Sequence, residues 1–197
     1  MEIIQRISQS KIVSVNNLIL LVSILAVFGT LQMISGGVWD AASHAVKEPE
    51  KFWSIQHIAV YSGVAMITIS GIFGFFIIRS KIAQKSTETG IKFVIIGAIL
   101  QLVFGYADSI SHDVFGIDGL ISLSHQPLEL GLILSSLGGF LILKSIQGSK
   151  IKKLIPLAIM TLILSISWIV FSLVMYVGGT ILCIPIYEMF SSGCAIL

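Results

Sequence analysis

No charged residue occurs between Lys11 and Asp40, between Lys51 and Arg79, or between Lys153 and Glu188. Each gap exceeds the roughly 20 residues that an α-helix needs to cross a bilayer. Inside hydrocarbon, backbone polar groups must be paired within the spanning element, and a helix does this unaided. Two further segments cross only if a carboxylate enters the apolar layer. Lys92 and Asp108 bracket fifteen uncharged residues, so a span over 91–112 carries Asp108 at its outer end; a span over 125–146 carries Glu129. The sequence therefore predicts an all-α, polytopic membrane helix bundle of about five transmembrane helices, at about 15–38, 55–79, 91–112, 125–146 and 153–178. The composition, 55% apolar and 11% charged, agrees.

Orientation follows from the basic residues of the short loops. The N-terminus and the segments 79–92 and 144–153 hold ten of the twelve Lys and Arg, whereas the opposite side holds only Lys47 and Lys51. This predicts a cell-membrane protein with its N-terminus in the cytoplasm and its C-terminus outside. Glu2 and Glu88 lie inside by this count, and the other eight carboxylates lie at the outer face or in the outer halves of the helices. The first apolar run is longer than a signal-peptide core, so an uncleaved first helix is expected. The terminal Cys194-Ala195-Ile196-Leu197 matches a prenylation box, but the topology puts it on the wrong side for that modification. Cys183 and Cys194 share the outer side and could pair.

The four His fall into two copies of one spacing. WDAASH places Asp40 four residues before His44, and ADSISH places Asp108 four residues before His112; a second His follows each thirteen residues later, at His57 and His125. A shift of 68 residues without gaps also aligns Gly37 with Gly105, Ser43 with Ser111, Val46 with Val114, Ser54 with Ser122, Gly63 with Gly131 and Gly71 with Gly139. The scarce Asp and His carry this register; the Gly, Ser and Val matches add little. The repeating unit is a helical hairpin with its turn outside. Two parallel hairpin repeats about an axis along the membrane normal are expected, plus one extra helix. The expected divisions of this single membrane domain are a cytoplasmic segment (1–14), a first metal-hairpin repeat (15–79), a second (91–146), and the fifth helix with an outer tail (153–197).

Residues i and i+4 share a helix face, so Asp40 and His44 point the same way, as do Asp108 and His112. His57 and His125 open the returning helices. Each hairpin can thus converge one carboxylate and two imidazoles at the outer membrane edge, an open two-His-one-carboxylate set suited to a transition metal. The metal ligands expected are Asp40, His44 and His57, and Asp108, His112 and His125. Capping or interfacial roles are the structural alternative for any single His, but ionisable groups at membrane depth are costly and read as functional by default. Haem also uses paired His, yet bis-His ligation does not call for a repeated Asp. Glu129 stands where the first repeat has Tyr61, one turn deeper than His125, and is a candidate for an additional ligand or a proton acceptor.

Elsewhere the residues have plainer readings. SGIFGFF and SSLGGF permit close helix packing, Gln32 and Gln101 suit interhelical hydrogen bonds, and Trp39 and Trp53 suit the outer aromatic belt. No phosphate loop, nucleophile elbow or nucleic-acid signature occurs.

The Asp-x3-His-x12-His pattern between two spanning helices resembles the metal-binding motif of the C-type membrane chain of the copper membrane monooxygenases, which act on methane or ammonia. That family has a related second pattern, Asn-x3-His followed by another His; Asp108, His112 and His125 match it with Asp in place of Asn. The repeat is also similar to that of uncharacterised prokaryotic multi-pass membrane proteins. The resemblance covers about residues 37–131 and implies copper as the first choice of metal, with zinc or iron as alternatives, and partner membrane subunits or a homo-oligomer within the lipid bilayer. It leaves open whether the chain is an enzyme. A zinc-dependent intramembrane hydrolase and a non-enzymatic metal carrier or sensor are the competing expectations.

Overall fold

The computed structural model describes residues 2–45, 53–115, 122–146 and 148–182, with the side chains of 2–14, 44, 45, 112, 113, 115, 149, 150 and 180 outside the description. The described residues form α1 (Glu2–Ala45), α2 (Ile55–Arg79), α3 (Lys85–Phe115), α4 (His125–Ser145), a single turn α5 (Ser149–Lys152) and α6 (Ile155–Tyr176), which runs into a π-helical segment at Val177–Ile181. Five of these helices are long and apolar enough to cross a membrane. The chain is a multi-pass membrane helix bundle.

The helix ends differ from the expected spans for a physical reason. Charge counting marks where a helix leaves hydrocarbon, not where its hydrogen bonding stops. Thus α1 continues through Asp40 to Ala45, and α3 starts at Lys85 rather than near 91. The first turns of α3 suit that extension, because Glu88 lies near the positive helix N-terminus and pairs with Lys92 one turn on at 2.6 Å. Pro156 sits in the first turn of α6, where its missing N–H costs no helical bond.

Packing follows the repeat. Gly63 of α2 lies against the Gly29 carbonyl and Met33 of α1, and Gly131 of α4 lies against the Gly97 carbonyl and Gln101 of α3. Each residue of the second set is 68 positions beyond its counterpart. The interfaces between the hairpins correspond as well: Gly71 of α2 faces Ile95 of α3, while Gly139 of α4 faces Val27 of α1. Exchanging α1 with α3 and α2 with α4 therefore relates the two hairpins of the bundle to each other. Without a hydrophobic force between helices in lipid, such close approaches at small residues and the hydroxyl bonds beside them hold the bundle. Ser70 Oγ donates to the Val22 carbonyl at 2.6 Å, and Ser23 Oγ donates to the Gly139 carbonyl at 2.8 Å.

The fifth crossing breaks this symmetry. Helix α6 packs on α4 and α1, burying Ala158, Thr161, Ser165, Ser172 and Met175 while exposing Ile163, Ile166, Val170 and Val174. Met175 apart, the inward side chains are small or polar and the outward ones large and apolar, as a lipid-facing helix requires.

Candidate functional site

The up-and-down course of the helices brings the C-terminal ends of α1 and α3 and the N-terminal ends of α2 and α4 to one end of the bundle. Both Asp–His sets lie there. In the first hairpin, Nε2 of His57 lies 3.0 Å from Oδ1 of Asp40, across the α1–α2 interface. In the second, Nδ1 of His125 lies 3.4 Å from Oδ2 of Asp108, across the α3–α4 interface. The Asp on one helix thus meets the later His on the next helix in both repeats.

Local sequence fixes the second pair. Ser122 and Ser124 precede α4, and both hydroxyls donate to Oδ1 of Asp108. Ser122 Oγ also accepts the backbone N–H of His125 at 3.2 Å. That contact satisfies one of the donors left open at a helix N-terminus. Asp108 is 9% exposed, so these bonds replace hydration that the carboxylate gives up.

One turn deeper, Glu129 is 0% exposed, and its Oε1 lies 3.4 Å from Nε2 of His125. The imidazole is therefore flanked by a carboxylate at each nitrogen. Helix α6 supplies the rest of the surroundings of Glu129: the Ser172 hydroxyl and the Trp168 indole stand beside the carboxylate, although among the described residues neither oxygen has a hydrogen bond of full geometry. Gln126 Nε2 donates to Ser172 Oγ at 2.7 Å, tying α4 to α6 at the same level. Trp168 is seated against Gly37 of α1, where a side chain would meet its ring.

The two hairpin sites adjoin each other. Asp40 is near enough to His125 to act on its charge, and Asp40 and Asp108 both act on Tyr61. Tyr61 itself lies beside His57 and Trp53, each with a ring-centre separation of 6.2 Å.

Of the seven residues expected at the site, Asp40, His57, Asp108, His125 and Glu129 are brought together at this end of the bundle. Helices α1 and α3 carry His44 and His112 one turn beyond the two Asp, but their side chains lie outside the described residues, as do Cys183 and Cys194. Among the described residues, no group of three or more His, Cys, Asp or Glu is arranged to hold a metal ion. Asp108, His125 and Glu129 form a chain rather than surround one point, because the two imidazole nitrogens face apart. Gln101 makes the interhelical bond expected of it, to Ser135 Oγ at 3.2 Å. Gln32 instead lies on an exposed face of α1.

Four contributors escaped sequence reasoning: Ser124, Gln126, Trp168 and Ser172. The signal for the last two was the run Thr161, Ser165, Trp168, Ser172, a polar stripe at helical spacing on an otherwise apolar span. No protein-family model, curated protein or solved structure matches the chain.

Proposed function

We propose that this chain is a membrane metal-binding protein, with a transition metal, copper first, held at the outer ends of its two hairpins. The ligands are drawn from Asp40, His44 and His57 and from Asp108, His112 and His125. The observation that supports this reading is the distance between ligand atoms contributed by neighbouring helices. Metal bonds of about 2.0–2.1 Å to nitrogen and oxygen place two ligands of one ion about 3.0–3.4 Å apart, and the described separations are 3.0 and 3.4 Å. Imidazolium–carboxylate pairs occupy the same range, so the metal must be measured directly.

The basic-residue asymmetry orients these sites towards the outside. An open set of this kind suits a copper protein working beside partner chains, as in the monooxygenases that the motif resembles. Zinc would favour a hydrolase, and readily exchanged metal a carrier or sensor. The test is elemental analysis with electron paramagnetic resonance on gently purified protein, alongside His57→Ala and His125→Ala. Bound copper that falls in each variant supports the proposal. Absence of metal, or a metal content that neither substitution changes, would leave two ion pairs and no metal centre.

A further inference from the structure

We infer that the face of α2 and α3 that corresponds to the seat of α6 binds an anionic phospholipid, with an acyl chain along both helices and the phosphate against Arg79, Lys85 and Lys92. These three residues lie at the end of the bundle opposite the acid–imidazole pairs, so no metal enters into the binding.

The correspondence that relates the two hairpins also relates two seats on the bundle. Helix α6 rests on α4 and α1, where Leu143 and Ile34 are 2% and 7% exposed. Their counterparts 68 positions away, Phe75 of α2 and Leu102 of α3, are 55% and 48% exposed. Gly37 receives the Trp168 ring, whereas a side chain at its counterpart Gly105 would meet the flexible end of Leu128 at 3.4 Å. Among the described residues no helix lies on the second seat. Ile72 and Phe75 line one wall of it, and Ile99 and Leu102 line the other, at helical spacing.

Each wall ends in positive charge. Arg79 follows Phe75 by one turn on α2, while Lys92 and Lys85 continue the α3 strip beyond Ile99. All three side chains are exposed. The corresponding positions of the filled seat are Gln147, Ile24 and Asn17, so at these positions only the open seat is charged. The short link 80–84 and Gly74, where a Cβ would stand 2.5 Å from Ile91, keep the two helix ends together. Glu88 engages Lys92 at 2.6 Å, which occupies one of the three ammonium donors. The guanidinium fork of Arg79 matches phosphate oxygens. A zwitterionic lipid carries its own cation beside the phosphate and gains less from these side chains. A second copy on this face would set its own Arg79, Lys85 and Lys92 against the first set in an isologous contact, where like charges repel.

Native mass spectrometry of the full chain, released from nanodiscs of mixed phosphatidylglycerol and phosphatidylcholine, counts the lipids of each class that stay bound. Wild type is expected to keep phosphatidylglycerol in preference. Arg79→Gln should weaken its retention about fivefold, the usual effect of one basic residue near an anionic lipid surface. The triple variant Arg79→Gln, Lys85→Gln, Lys92→Gln should show no preference, while Lys152→Gln, Lys153→Gln, at the start of α6, should keep it. A photoreactive acyl chain on phosphatidylglycerol should label residues 72–75 and 95–102. Equal retention of both lipids by wild type, a preference that survives in the triple variant, or labelling confined to other helices would overturn the assignment. So would near-complete disulfide-linked dimers of Phe75→Cys in a Cys183→Ser, Cys194→Ser background in the bilayer, since a second copy would then occupy this face.

Discussion

His57 turns its Nε2 towards Oδ1 of Asp40 at 3.0 Å, across the interface between α1 and α2. The sequence places Asp40 beside His44 on one helix face, but the described contact is with the residue thirteen positions beyond His44, on the returning helix. A hairpin built this way couples the separation of its two helices to the geometry of its acid–imidazole pair. The second hairpin does the same with Asp108 and His125. Helix packing below the site therefore bears on the site itself.

Gly63→Ala should be destabilising. A methyl group there would stand 2.6 Å from the Gly29 carbonyl and 2.5 Å from the Met33 side chain, and the carbonyl cannot move without shifting α1. Overpacking of this kind costs about 1–3 kcal/mol. Gly105→Ala would meet only the flexible end of Leu128, at 3.4 Å, and should be tolerated. Thermal unfolding in mild detergent compares the two; equal midpoints would show that the α1–α2 approach is not tight.

The buried Gln101–Ser135 pair of the second hairpin occupies the positions that Met33 and Ile67 fill in the first. Gln101 Oε1 is buried without a hydrogen-bond partner among the described residues, which weakens the net contribution of the amide. The double variant Gln101→Met, Ser135→Ile should therefore fold with stability within about 1 kcal/mol of wild type, or above it. A loss well beyond that, read from the same unfolding measurement, would mean that the two hairpins pack by different rules.

Ten basic residues against two predict the orientation. A cysteine introduced near Glu50 should react with an impermeant thiol reagent added to intact cells, and one near Lys85 should react only after the membrane is opened. The opposite labelling pattern would turn the bundle over and place both acid–imidazole pairs at the cytoplasmic face.

The parts of this architecture that were legible in sequence depend on scarcity. Charges are rare enough for their gaps to mark the spans, and Asp and His are rare enough for one register of 68 residues to be noticed. What stayed hidden depends on geometry that spacing does not carry. Nothing in Asp-x3-His-x12-His says which imidazole nitrogen meets which carboxylate. Trp168 and Ser172 were missed because α6 lies outside the repeat and reads as an ordinary apolar span. Ser124 was missed because its counterpart in the first repeat is Gln56, so the register of the repeats does not mark it.

The difference between Glu129 and Tyr61 gives the last prediction. These residues hold equivalent positions one turn inside their helices, but only Glu129 can add a negative charge to its site. Tyr61 stands beside the His57 and Trp53 rings, and Tyr61→Phe retains the ring while removing only the hydroxyl. The second site should therefore hold metal more tightly than the first, and Glu129→Gln should reduce metal retention there more than Tyr61→Phe reduces it at the first site. Dialysis against a graded series of chelator concentrations, followed by metal analysis of each variant, measures both retentions. Equal retention in the two variants would mean that the additional carboxylate takes no part in binding, and that the two hairpins are equivalent in chemistry as well as in fold.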